Sequence, residues 1–127
     1  MKTTSASKLS RTKNWRVLIY GKPGVGKTSS VKNLTGRTLV LSLDNSQRVL
    51  SGLPNVDVWQ DPVFPDDDTE HSFDRNHPND SITKFIKDQE EIEANYDNLV
   101  IDNVSSFERD WFVERGRASK NGVGNEI

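Results

Sequence analysis

The chain contains no cysteine, which removes any disulfide framework and leaves no thiolate for zinc or iron–sulfur chemistry. A reducing, cytoplasmic setting is the expectation that follows. Long apolar runs are missing as well. No segment reaches the ~18 consecutive apolar residues that span a bilayer, and residues 1–14 (MKTTSASKLSRTKN) lack the hydrophobic stretch of a signal peptide, so no membrane partner is expected. Apolar content is low, at 32% hydrophobic with 8 glycines, against the ~45–50% of an average globular domain. At 127 residues the chain is one domain at most. Charge of one sign is not in excess either: the net charge of −2 gives no global drive toward nucleic acid or an anionic surface, so any polyanion contact must be a local patch.

What is present is concentrated in one octapeptide. Residues 21–28 read GKPGVGKT, a full match to G-x-x-x-x-G-K-[ST], and the match implies that the chain binds a nucleoside triphosphate. A chance match in a chain this long is expected on the order of once in a few hundred sequences. The flanks fit the mechanism, which aims backbone N–H groups at phosphates from a helix N-terminus. Residues 16–20 (RVLIY) are a short apolar, β-branched run of the buried-strand type. A short helix follows over residues 28–34, with Gly36 placed to end it. The binding segment comprises Gly21, Lys22, Pro23, Gly24, Val25, Gly26, Lys27, Thr28 and Ser29. Gly21, Gly24 and Gly26 allow backbone angles and a close approach that a Cβ would block, and Pro23 restricts the loop. Lys27 reaches the β- and γ-phosphates, and the Thr28 hydroxyl ligates Mg²⁺. The alternative is an ordinary glycine-rich turn before a helix.

Further along, residues 37–43 (RTLVLSL) read as a second buried strand closing on Asp44, and ligands of open α/β sheets gather at that edge. Residues 56–59 alternate as a short third strand after the turn at 52–55. Residues 61–80 are rich in Pro and Asp and read as a long loop. One helix is expected over residues 81–95, with Ile82, Phe85, Ile86, Gln89 and Ile92 on its packed face. Residues 99–102 (LVID) form another buried strand ending in Asp102. Residues 105–108 (SSFE) read as a capping box that starts a last helix, with Phe107, Trp111 and Phe112 as its apolar face. The alternation of strands and helices indicates an α/β fold with a mainly parallel sheet, and the phosphate loop makes it a P-loop NTPase core.

A phosphate loop needs an acid at the end of a neighbouring strand to hold Mg²⁺ through water, and Asp102 meets that description. A generic strand-ending Asp is the alternative. Hydrolysis also needs a group that orients or deprotonates water. Asn103 occupies the position directly after Asp102, where many ATPases carry Glu, so Asp44 is the candidate base. A turn or cap role before Asn45 and Ser46 is equally open for it.

GKPGVGKT, RTLVLSLD and YDNLVIDNVSSFERD, in that order, resemble the RecA-like branch of phage-type AAA-family ATPases, described as phage nucleotide-binding proteins and related to single-strand DNA annealing proteins. The resemblance spans residues 14–120. It implies ATP at residues 21–29, Mg²⁺ supported by Asp102, a water-activating acid at Asp44 where the family more often has Glu, and a role in phage DNA recombination or replication inside a bacterial host. In RecA-like cores the strand between the P-loop strand and the acid-bearing strand comes later in sequence. The resemblance therefore covers the N-terminal portion of the expected domain, which implies a fragment of poor isolated stability or a chain completed by a partner.

The domain reading is a disordered basic lead-in at 1–14, the core at 15–120 and a flexible tail at 121–127. Lys2, Lys8, Arg11 and Lys13 in the lead-in offer a local contact to nucleic acid. Arg109, Arg115, Arg117 and Lys120 read either as a solvated face or as contacts to single-stranded DNA or a neighbour's γ-phosphate, the latter implying a homo-oligomer of the full-length form. The acids at 66–70 with His71 and His77 match no metal motif and read as a solvated loop. Trp15, Trp59 and Trp111 read as sheet-packing residues more readily than as base-stacking ones. Two other classes stay open: a P-loop kinase of a small molecule, with Asp44 as base on the acceptor, and a nucleotide-binding module without turnover.

Overall fold

A computed structural model describes residues 1–8 and 29–120. Ala6–Lys8 form a single 3₁₀ turn. The first core helix, α1, is Ser29–Lys32. Behind it Gly36 adopts φ +85°, a left-handed conformation that ends the helix and turns the chain into the sheet. A Cβ on Gly36 would collide with the Asp97 carboxylate, whose Oδ2 accepts the Arg37 N–H at 2.9 Å.

The sheet is built from β1 (Thr38–Ser42), β2 (Val56–Val58) and β3 (Asn98–Asp102). Among the described residues its order is β2-β1-β3, and both pairings are parallel. β1 is buried along its whole length, as its continuous apolar run requires of a central parallel strand. Alternation splits its side chains between two faces. Leu39, Leu41 and Leu43 join Trp59, Phe73 and Phe85, with Ile82, Ile92, Tyr96 and Phe107 packed against them. On the opposite face Val40 joins Val31 of α1 and Leu50, with Val56, Val58 and Val100 alongside. Leu50 closes a 3₁₀ turn, Gln47–Leu50, between β1 and β2.

Three expectations are corrected. The helix placed at 81–95 is two helices, α2 (Pro78–Lys87) and α3 (Gln89–Asn95). Pro78 starts α2 early because a proline at the first helical position loses no hydrogen bond. The break falls at Asp88, whose backbone leaves the helical region (φ −85°, ψ 4°) and whose Oδ2 accepts the Trp59 indole N–H at 2.9 Å. Trp59 packs edge-on against Phe85 with ring centroids 5.6 Å apart. Ile86, expected on the packed face, is 59% exposed.

Similarly, β3 is not buried throughout. Leu99 and Ile101 are 46% and 49% exposed, whereas Val100 packs on the α1 face. The last helix, α4 (Val104–Lys120), begins before the expected capping box. Asn103 caps it, its Oδ1 accepting the Ser105 N–H at 3.1 Å and its carbonyl the Ser106 N–H at 3.1 Å. Asparagine is among the strongest N-cap residues, and it precedes the serines. Phe107 reaches the core, Trp111 is half-buried and Phe112 is exposed.

Candidate functional site

The C-terminal edge of the parallel sheet is where β1 and β3 stop at the same level. Ser42 is in register with Asp102, and the Leu43 N–H donates to the Asp102 carbonyl at 2.5 Å. The next peptide, Asp102–Asn103, is cis. Asp44 stands two residues beyond Ser42, so the two acids singled out from sequence share one sheet edge, each half-buried. The other predicted site residues, Gly21, Lys22, Pro23, Gly24, Val25, Gly26, Lys27 and Thr28, lie outside the described residues. Ser29 is the first residue of α1.

Asp44 is held by a local turn. Its Oδ1 accepts the Ser46 N–H at 3.2 Å and the Ser46 hydroxyl at 2.6 Å, and the Ser46 N–H also reaches Ser42 Oγ at 3.0 Å. The turn role considered for Asp44 is therefore real, and it fixes one carboxylate oxygen. Asn45 between them is left-handed (φ 56°), a conformation asparagine tolerates. That geometry turns its amide onto residues 72–73. Asn45 Oδ1 accepts the N–H groups of Ser72 (2.9 Å) and Phe73 (3.0 Å), and Asn45 Nδ2 donates to the Phe73 carbonyl at 3.1 Å.

The segment after β2 is thereby brought against the site. Its Pro- and Asp-rich sequence reads as a loop and is one as far as His77, but it is internally tied. Gln60 Nε2 donates to the carbonyls of Pro65, Asp68 and His71. Asp61 is fully buried and accepts from Lys84 Nζ (2.8 Å), Ser81 Oγ (2.6 Å) and the Val63 N–H (2.9 Å). Burial alone would raise the Asp61 carboxyl, but the bonds from Lys84, Ser81 and Val63 outweigh it and hold the group below the usual carboxylate value. Two other acids of the loop serve turns: Asp68 accepts from the Glu70 and His71 N–H groups, and Asp74 from those of Asn76 and His77. Among the described residues no group of three or more His, Cys, Asp or Glu is placed to hold a metal ion.

Between this loop and Asp44 runs an open groove of about 650 Å³, bordered by Arg48, Glu70, His71, Phe73 and Arg75. Arg48 pairs with Glu70 at 2.6 Å. Arg75 grips Asp110 of α4 with Nε at 2.7 Å and Nη2 at 3.3 Å, and this bond raises its already high pKa. Sequence reasoning allowed a turn at Asp44, Asn45 and Ser46 but gave the last two no role at the site, and it missed the Arg75–Asp110 pair. Nothing in the sequence pairs residues 35 positions apart.

Two acids stand at this sheet edge, and the GKPGVGKT segment directly precedes α1 in sequence. A family model described as an AAA domain matches residues 13–126. The chain belongs to the AAA domain family. Its match runs through the phosphate-loop segment, Asp44 and Asp102 alike, and membership makes the chain a nucleotide-binding, ATPase-type domain. The parallel three-stranded α/β sheet agrees with a P-loop NTPase-like core. No curated protein and no solved structure matches this AAA domain. Among its described residues no helix is long and apolar enough to cross a membrane.

Proposed function

We propose that the chain binds ATP through Gly21–Ser29 and hydrolyses it at the C-terminal edge of the sheet. The observation that supports this most is that Asp44 and Asp102 lie at the same sheet edge, Ser42 being in register with Asp102 and Asp44 two residues further on, inside a family match that also covers the loop. Lys27 binds the β- and γ-phosphates, and Asp44 takes the proton of the attacking water. Asp102 and the Thr28 hydroxyl supply hard oxygen ligands of the kind Mg²⁺ accepts alongside phosphate and water. Held there, Mg²⁺ would supply charge neutralisation for the phosphates. The Ser46 hydroxyl on Asp44 Oδ1 orients the carboxylate and leaves Oδ2 as the oxygen to face water.

The wider role rests on the three-segment resemblance: an ATPase of phage DNA recombination or replication, acting with single-stranded DNA, in the host cytoplasm and as a homo-oligomer in its full-length form. Phosphate release that single-stranded DNA stimulates would support it, and release that ignores DNA would remove that part.

A second reading, nucleotide binding without turnover, has one observation in its favour. Asp44 Oδ1 is already committed to Ser46, and an Asp is shorter than the Glu the resemblance leads one to expect. Three variants separate the readings. Lys27→Ala is expected to weaken Mg-ATP binding at least tenfold and abolish turnover. Asp44→Asn is expected to keep the affinity and lower turnover about a hundredfold. Unchanged affinity in Lys27→Ala would sink the phosphate-loop assignment, and parental turnover in Asp44→Asn would remove Asp44 as base. An intact triphosphate with the parent protein, binding retained, selects the second reading. Asp102→Asn is expected to reduce the Mg²⁺ dependence of binding.

A further inference from the structure

Asp44 shares its groove with two arginines, Arg48 and Arg75, and they are held differently. Arg48 is exposed and makes one contact, to an exposed Glu70. Arg75 is gripped along one side of its guanidinium, with Nε at 2.7 Å and Nη2 at 3.3 Å from the two oxygens of Asp110. Its Nη1 has no hydrogen-bond partner among the described residues, and the side chain is 40% exposed. We propose that Arg75 is a catalytic residue whose Nη1 donates to an oxygen of the terminal phosphate, and that Asp110 of α4 is the positioning residue that aims it, a proposal that rests on Asp44 acting as base on the attacking water.

In that reaction the water oxygen bonds to the terminal phosphorus and the bond from phosphorus to the bridging oxygen breaks. The nucleoside diphosphate leaves with the electron pair, and the water proton goes to Asp44. A base stands ~2.6–3.2 Å from the water, and the water ~3–3.5 Å from the phosphorus. The terminal phosphate therefore comes within about 6 Å of the Asp44 carboxylate, a position fixed by Asp44 alone.

That distance brings a multiply charged anion beside the acids of the groove, Asp44, Glu70 and Asp74, and like charges so close repel. A cation must offset them. Glu70 is paired with Arg48, and Asp74 is turned to the N–H groups of Asn76 and His77 and to the His77 ring. Arg75 is the arginine that the fold has already immobilised. The Asp110 bond raises its pKa and the Asp44 charge adds to that, so Asp44 lies within electrostatic reach of the guanidinium. A planar guanidinium gripped along one side keeps its remaining donors in a fixed direction. Donors fixed before the reaction stabilise developing charge without reorganising. The grip is also tied to the second acid, because α4, which carries Asp110, starts two residues after Asp102.

Two substitutions in the full chain break the same ion pair and separate the roles. Arg75→Gln removes the cation, whereas Asp110→Asn removes only the grip. If the pair merely fastened the loop to α4, both would lower Tm alike and affect turnover alike. The expected result is similar melting temperatures, with kcat lowered about a hundredfold in Arg75→Gln and about tenfold in Asp110→Asn. ATP affinity is expected to fall about fivefold in Arg75→Gln and ADP affinity to stay at the parental value, because ADP lacks the phosphate that Arg75 touches. Equal turnover in the two variants, or an unchanged ratio of ATP to ADP affinity in Arg75→Gln, overturns the proposal. If Arg75→Gln does not fold, Arg75→Lys keeps the charge and loses the fork; it is expected to lose about tenfold in kcat, and parental kcat in it would overturn the positioning by Asp110. The reading beneath the proposal is judged on other proteins. Parental turnover in Asp44→Asn removes the base and leaves the Arg75 contact to the affinity ratio, and a parent that binds ATP without turnover removes the catalytic role of both residues.

Discussion

At the scale of single residues, the buried carboxylate of Asp61 does the most to hold the long loop beside the site. It ties that loop to α2 through Ser81 and Lys84, so Asp61→Ala leaves these two groups and the Val63 N–H without their acceptor and is expected to destabilise the fold by about 3 kcal/mol. Because the folded-state carboxyl lies below its ordinary value, its contribution is complete above the usual carboxylate pKa and is lost as pH falls through that value and below. Melts from pH 7 to pH 3 are expected to show a steeper loss for the parent than for Asp61→Asn, whose amide does not titrate; parallel curves would refute the assignment. Gly36 is the second such residue. Gly36→Ala meets both a left-handed backbone and the Asp97 carboxylate, and is expected to cost about 2 kcal/mol in denaturant unfolding. A change within a few tenths of a kcal/mol would show that Asp97 moves aside freely.

Helix ends are where element-scale reasoning and the structure diverged. The period of apolar residues across 81–95 is right for a helix, and Phe85, Ile82 and Ile92 do face the core. What periodicity does not register is a bond from another element: the Trp59 indole draws on Asp88, and the helix breaks there. The start of α4 was displaced for a more local reason, since two neighbouring signals competed and Asn103 lay first. Asn103→Ala is expected to lower stability by about 1 kcal/mol, whereas Ser105→Ala is expected to change it by no more than a few tenths, because Ser105 lies inside the helix. The reverse order in chemical denaturation would restore the capping box. The strands were legible at this scale: 37–43 and 56–59 each contain the strand observed and 99–102 covers all of β3 but Asn98, because β-branched and leucine runs bounded by turn residues have few other uses in a short α/β chain.

Over the whole molecule the pertinent quantity is cooperativity. The described sheet has three strands, with apolar side chains exposed along β3, so the intrinsic stability is expected to be small and strongly dependent on ligand. Saturating Mg-ATP at about a hundred times its dissociation constant adds roughly 2.7 kcal/mol, or a rise of about ten degrees in Tm for a domain of this size. Calorimetry with and without Mg-ATP measures it. A cooperative transition that does not move would argue against nucleotide binding by this chain.

The sequence by itself determined the local pieces: an octapeptide of phosphate-loop pattern, three strands, and an acid at the end of one and two residues past the end of another. Each of these is written in residues adjacent along the chain, through spacing, backbone permissiveness and side-chain type. Tertiary structure decided which of those pieces meet. It set Asp102 level with Ser42 and two residues short of Asp44, folded residues 72–73 onto the Asn45 amide, and joined Arg75 to Asp110. It also left Leu99 and Ile101 half exposed in a strand that reads as buried. Those outcomes depend on strand order and crossover direction, which couple residues tens of positions apart and leave no periodic mark on the sequence.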